Sequence, residues 1–389
     1  MAAEPVVDLT RQDLCPTVIE LGSWLLESGI QAPEGHFYAW YDLERSAFVR
    51  PYPEITGYGI STLCWLFDLT GNPRLVERAR RAFDFLEGDA IHPGWGLVGT
   101  QPLSILEKLD GPVSLHTFDS GIVATSLERL AMRSSDPQVG KAVERITSTF
   151  LNHLLLDDGT LWPLIDFCDG TPTSSTQRWS QSFSGYQLKS LMFLMLGGTS
   201  NGGTDEETTT RRVVERVLAE QQKCGAFPSY PTGETHLHPH LYTLEALSVA
   251  AAIHGEERWL ERVAAGFKYM ERLIAERGCL PTRAQKDRVT VHFERADIVA
   301  QFLRLGSYLC SAGCISRRRL DSVLLWTRRR LQQYVIEEGR HRGGVLFGQD
   351  GDGTFKQHVN CAATLMSAQA CHWYESAQSR VHLDPTELV

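Results

Sequence analysis

Among the 389 residues no apolar run approaches the roughly twenty that a membrane-spanning helix requires, so membrane insertion is not expected. Positive charge is in deficit: 38 Lys and Arg stand against 47 Asp and Glu, a formal net charge of -9. Extended contact with nucleic acid needs uncompensated cations, so no nucleic-acid partner is expected either. The nine cysteines are odd in number, spread from Cys15 to Cys371, and mostly set in apolar helical patterns, as Cys64 and Cys310 are. They read as reduced core residues of a cytoplasmic protein rather than a disulfide framework. Cys310 and Cys314 have no second Cys or His pair at zinc-like spacing around them. The opening stretch carries Glu4 and Asp8 and lacks a long apolar core, so no secretory signal is expected.

What the chain does have is a repeat, complete once in Tyr52 to Leu86. Ile55, Tyr58, Gly59, Leu63, Leu66 and Phe67 sit at helical spacing with almost no charge, as a helix buried on most sides requires. Thr70-Gly71-Asn72-Pro73 stops it. Leu75, Val76, Ala79, Ala82, Phe83 and Leu86 then form one apolar stripe on an otherwise charged helix. Such a hairpin cannot bury its own inner face, so copies must stack or close. A glycine-plus-apolar turn recurs before each apolar helix, at Gly35, Gly94, Gly159, Gly225, Gly278 and Gly343, every 53 to 66 residues.

The pattern predicts amphipathic outer helices near 11–28, 73–88, 136–154, 206–223, 256–276 and 315–336. Apolar inner helices are predicted near 54–69, 117–134, 181–197, 240–254, 294–311 and 358–375. Six of each form an all-α (α/α)6 toroid, a single domain over 1–389 with a flexible or loosely packed tail at 376–389. Inner-to-outer links are short, whereas outer-to-inner links are long and hold most non-helical Trp, Tyr, His and acidic residues. Long loops in a compact domain are usually functional, which puts the site at the mouth formed by the amino ends of the inner helices.

The repeat, with the phrases YPEITGY, HTFDSG and HLYTLEAL, resembles the six-hairpin glycosidase-like superfamily of (α/α)6 toroids, and most closely uncharacterised members associated with bacterial glycan synthesis. The resemblance covers essentially the whole chain. It implies action on carbohydrate without choosing among the hydrolases, uronyl hydrolases, lyases and epimerases that share the fold.

The inner-helix starts carry the candidate chemistry. Asp119, Glu54, Asp297, His240 and His358 are the candidate catalytic residues, brought into one cavity only by a ring. Tyr52, Trp95, His116, Trp162, Trp179, Tyr230, Tyr242 and Arg295 are candidate substrate contacts. Each has a plainer reading: Glu54 follows Pro53, where the helix dipole favours an acid; Asp297 has Arg295 and Arg304 as ion-pair partners; any aromatic can be a loop anchor. Asp119 resists the plain reading, because a core between Phe118 and Ser120-Gly121 would prefer an apolar residue. His236, His238 and His240 would share a side if extended and so offer a metal site, but hydrogen bonding is their commoner use and no cofactor or metal is assigned. Asp350 and Asp352 read as turn residues rather than calcium ligands. Arg317–Arg319 and Arg328–Arg330, eleven residues apart, read as a solvated basic stripe.

Three function classes stay open. The first is a glycoside hydrolase-like enzyme acting on a sugar or uronate-containing glycan, with Asp119 as proton donor and Glu54 or Asp297 as partner. The second is an epimerase or lyase using His240, His358 or Tyr242 for proton transfer. The third is a non-catalytic glycan-binding or scaffold protein. Terpene or peptide cyclisation is more remote, because the chain lacks a D-x-D-D motif and an arranged Cys, Cys-His set. A small-molecule sugar or glycan is the expected partner, and homo-oligomerisation stays open.

Overall fold

The computed structural model describes residues 15–201, 204–286 and 288–389. Among them, twelve principal helices alternate along the chain. The outer helices are α1 (Pro16–Glu27), α3 (Pro73–Asp89), α5 (Pro137–Thr149), α7 (Thr204–Ala219), α9 (Glu257–Arg277) and α11 (Val323–Gln332). The inner ones are α2 (Pro53–Thr70), α4 (Thr117–Ala131), α6 (Met192–Asn201), α8 (Leu237–His254), α10 (Ala296–Ser311) and α12 (Cys361–Gln378). The inner helices pack side by side around a closed ring with the outer helices behind them, so the fold is an (α/α)6 toroid.

Local sequence sets the punctuation. Gly71 ends α2 in the left-handed region at φ 69°, and the Asn72 side chain accepts from the Arg74 amide to start α3 behind Pro73. Asp136 and Pro137 start α5 in the same way. Inner helices are buried nearly all round: Leu63, Leu127, Leu191, Leu247 and Leu305 are at most 1% exposed, while Phe67 is only partly buried. Outer helix α3 buries one stripe, Leu75, Ala79, Ala82, Phe83 and Leu86.

Several expected boundaries move. The third inner helix opens as a 3-10 stretch, Gly185–Leu191, before α6. Residues 294–295 and 358–360 are strands that precede α10 and α12 rather than their first turns. The outer segment at 315–336 is broken into a 3-10 turn, Arg317–Arg319, and α11. Its arginines therefore do not form one stripe: Arg317 binds the Ala377 and Gln378 carbonyls, Arg319 pairs with Glu271, and Arg330 pairs with Glu294. Where a loose tail was expected, α12 runs on to Gln378, and Leu383, Leu388 and Val389 are buried. Arg129 donates to the carbonyls of Thr386, Glu387 and Leu388, which holds this segment against the ring.

Small antiparallel sheets ring one mouth. The strand entering an inner helix pairs with a strand from the following long loop: Ser114–His116 with Leu164–Asp166, Thr235–His236 with Arg283–Gln285, and Glu294–Arg295 with Gly348–Gln349. The last of these strands, His358–Asn360, pairs back to Tyr38–Asp42 and joins the end of the chain to its start.

Four of the six recurrent glycines, Gly35, Gly159, Gly225 and Gly343, bring their loops against the backbone of an outer helix. Gly343 has φ 83°, and a Cβ there would lie 2.3 Å from the Glu20 carbonyl oxygen of α1; Gly278 has φ 69° with nothing within 4 Å. Gly343→Ala should therefore lower stability in urea unfolding by roughly 2 kcal/mol or more, and Gly278→Ala by about 1 kcal/mol. Equal losses would contradict the claim that close approach closes the ring.

Candidate active site

The mouth opens into a cavity of about 260 Å³. Its lining follows a register. The second residue of five inner helices faces it: Glu54 of α2, Phe118 of α4, His238 of α8, Asp297 of α10 and Ala362 of α12. Tyr52, His116, Arg295 and Asn360, each just before a helix, line it too, with Arg50, Thr100, Arg178, Trp179, Ser180 and Phe347 from the loops. Four residues further along their helices, Tyr58 and Tyr242 complete the lining.

Two carboxyls dominate. Asp119, the third residue of α4, is 3% exposed, and its Oδ2 is buried without a hydrogen-bond partner. Such an orphan in a polar cavity asks for an explanation. Burial, and then the charge of Glu54, pushes the Asp119 carboxyl well above the usual carboxylate range. Burial likewise raises Glu54 to about 7, with Tyr52, Lys189 and Arg50 offsetting part of the rise. Both carboxyls are thus held above the usual carboxylate range, each raised by burial and Asp119 further by the charge of its neighbour.

Asp297 behaves in the opposite way. Burial would raise it, but Arg295, His238 and the Ile298 amide outweigh burial and hold the carboxyl below its ordinary value. Arg295 Nε lies 2.9 Å from Asp297 Oδ1, and a second guanidinium nitrogen reaches Oδ2. Asp297 is an ionised acceptor.

The histidines are neutral. Burial lowers His116 and His238 to about 4 each. The His238 tautomer is set from beneath. Glu245, fully buried, accepts from Lys189 at 2.6 Å, from Arg304 Nε at 2.8 Å and from the Gln301 amide at 3.4 Å. Glu245 thereby turns the Gln301 oxygen toward His238 Nδ1, 2.6 Å away. The proton must sit on Nδ1, leaving Nε2 as an acceptor with no partner among the described residues.

Not every expected residue reaches the cavity. His240 does not line it: α8 starts at Leu237, so His240 lies two residues, about 200°, round from His238. Its ring accepts from the Phe227 amide at 3.2 Å and meets the Gly266 carbonyl at 3.3 Å, on the outer-layer side. The same helical turn keeps His236, His238 and His240 from sharing a face, and no group of three His, Cys, Asp or Glu among the described residues is arranged to hold a metal. His358 stands beside the lining, stacked between Trp40 and Phe347. Trp95 packs on Gly170 and His153, Trp162 on Phe183, and Tyr230 under Arg283, all outside the cavity lining. Glu294 is also structural, accepting from Leu280, Arg330 and Tyr334. Arg50, Arg178 and His238 were not expected at the site. His238 is found by counting two residues into its helix only once the start is known to be Leu237.

No family model matches the chain, and no curated protein matches it by sequence. Solved structures do share its fold. It is similar to a D-mannose isomerase (TM-score 0.75, 11% identity, covering 96% of this chain and 100% of that one). It is similar to a sugar epimerase from a ruminal bacterium (TM-score 0.73, 12% identity, 94% and 100% covered). It is also similar to an unsaturated glucuronyl hydrolase specific for heparin (TM-score 0.65, 13% identity, 93% and 97% covered). The chain thus shares the (α/α)6 toroid fold of these structures.

The raised carboxyl has a consequence for stability. Glu54 takes up a proton on folding between its ordinary value of 4.5 and about 7, so its ionisation works against the fold as pH rises through that window. Glu54→Gln should match the parent at pH 4 and melt higher at pH 8, by about 2 °C or more. A variant that melts lower at pH 8 would contradict the buried-charge assignment.

Proposed function

We propose that the chain is a carbohydrate-active enzyme that cleaves a glycosidic bond with Asp119 as proton donor and Glu54 as its ionised partner. The observation that carries this reading is a pair of carboxyls lining one cavity, Asp119 buried and raised well above the usual carboxylate range and Glu54 raised to about 7. Two carboxyls with separated proton affinities are what bond cleavage at an acetal needs. Asp119 gives its proton to the departing oxygen, and Glu54 either takes one from an attacking water or attacks the sugar carbon itself. Asp297, held by Arg295, accepts from sugar hydroxyls. Phe118, Trp179 and Tyr242, packed with ring centroids 4.8 to 6.4 Å apart, offer an apolar wall for a sugar face. The nine unpaired cysteines suit a reducing compartment, so a cytoplasmic location belongs to the same proposal.

One observation favours a second reading. His238, with its proton pinned on Nδ1 and Nε2 unpartnered, has the form of a general base, and Arg295 stands in the same cavity. Two of the similar structures are described as a sugar epimerase and a mannose isomerase, which supports proton abstraction next to a carbonyl. Solvent deuterium appearing in a sugar C–H bond without cleavage would select this reading, and cleavage without such exchange would select the first.

Asp119→Asn should keep the fold by circular dichroism and lower turnover by about 10² or more. The kcat/KM profile of the parent should show its acidic limb at about pH 7, where Glu54 ionises, and fall again only when Asp119 loses its proton. Near-parent turnover in Asp119→Asn, or a limb near pH 4, would reject the assignment.

A further inference from the structure

We infer that the cavity takes an anionic sugar, one bearing a carboxylate or a phosphate, and that Arg50 and Arg178 receive the anionic group at the mouth. The inference rests on the carbohydrate reading above and adds the class of substrate.

Three arginines line the cavity, and they differ in their partners. Arg295 is spent on Asp297. Arg50 and Arg178 are solvent-exposed, and among the described residues neither guanidinium has a hydrogen bond or an ion pair. Of the carboxyls in the cavity, Asp297 is already paired with Arg295, and neither Glu54 nor Asp119 forms an ion pair with Arg50 or Arg178 among the described residues. Two unpaired guanidinium groups thus stand at the opening of a chain whose net charge is -9. Clefts that focus one sign of charge concentrate ligands of the other sign.

The backbone at Arg50 adds an independent observation. Arg50 has φ 29°, a conformation that costs a non-glycine residue of order 1–3 kcal/mol and persists only where its surroundings enforce it. The pairing of Val49 with Trp40 and of Pro51 with Tyr38 fixes the chain on either side. The side chain is thereby carried over the Tyr52 ring, with Cζ 4.8 Å from the centroid, beside the carboxyl pair. Arg178 immediately precedes the turn that delivers Trp179 to the aromatic wall, so its charge and the sugar platform arrive on one segment. Planar guanidinium groups suit both carboxylate and phosphate oxygens through paired N–H donors.

The test compares D-glucuronate and D-glucose 6-phosphate with D-glucose by ligand-observed NMR at 50 mM salt. At least one anionic probe should bind about tenfold or more tightly than glucose, and the preference should shrink as salt rises. Arg178→Gln and Arg50→Gln should each remove most of it, while circular dichroism confirms an unchanged fold. The arm that binds, uronate or phosphate, names the source of the charge. Equal binding of all three, no millimolar binding by either anion, or a preference that survives both substitutions would overturn the inference. Asp119→Asn should keep the preference. Anion binding that depends on both arginines, with no turnover in a glycan screen, would leave this inference standing and remove the catalytic reading; turnover of neutral glycans with no anion preference would do the reverse.

Discussion

Everything in this molecule depends on the first outer helix finding the last inner one. An inner helix of this chain is apolar on nearly every side, and stacking alone would leave two raw ends. Closure removes both. Cys15, just before α1, donates to Glu375 of α12 at 2.8 Å, and Arg328 reaches Thr17 at 2.8 Å. Gly343 sits against the α1 backbone, and the strand at Tyr38–Asp42 takes His358–Asn360 as a partner. That strand pair also carries the hairpin whose far side presents Arg50, so the contact that closes the fold helps to build the mouth of the site.

Closure imposes a layered order on the axis. Two residues into the inner helices lie the groups of the cavity, Glu54, His238 and Asp297. Seven residues deeper, about two turns, lie Glu245, Arg304 and Gln369, with Lys189 bridging from the segment before α6. Tyr242 separates the layers, with the Lys189 ammonium 4.5 Å from its ring centroid. Burying such charges has a large desolvation cost, and the set is tolerable because Glu245 is satisfied by two cations and an amide at once. Burial would raise the Glu245 carboxyl, but Arg304 and Lys189 outweigh it and keep Glu245 ionised. Its yield above is orientation, through Gln301 to His238.

The ring was legible in the sequence because its cause is periodic: apolar stripes at helical spacing and a glycine turn at a steady interval. The carboxyl positions were legible for the same reason, as Glu54, Asp119 and Asp297 follow directly from where helices begin. His240 was misplaced because the residue that faces the cavity is the second of the helix, His238, from which His240 lies about 200° round, and nothing local marks Leu237 rather than His240 as the start. Trp95, Trp162 and Tyr230 look identical to platform residues in composition; only the neighbours they meet, Gly170, Phe183 and Arg283, make them anchors. Arg50 and Arg178 carry no sequence signal, since a free arginine differs from a paired one only by what stands opposite after folding.

The central claim is that one cavity holds two carboxyls that both keep their protons far above the usual carboxylate range. Carboxyl-carbon chemical shifts of Glu54 and Asp119, followed by 13C NMR from pH 4 to pH 10 and assigned with the Gln and Asn variants, read this directly. The account predicts that Glu54 titrates near 7 and Asp119 well above the usual carboxylate range. Two carboxyls that both titrate near 4, as free side chains do, would contradict it.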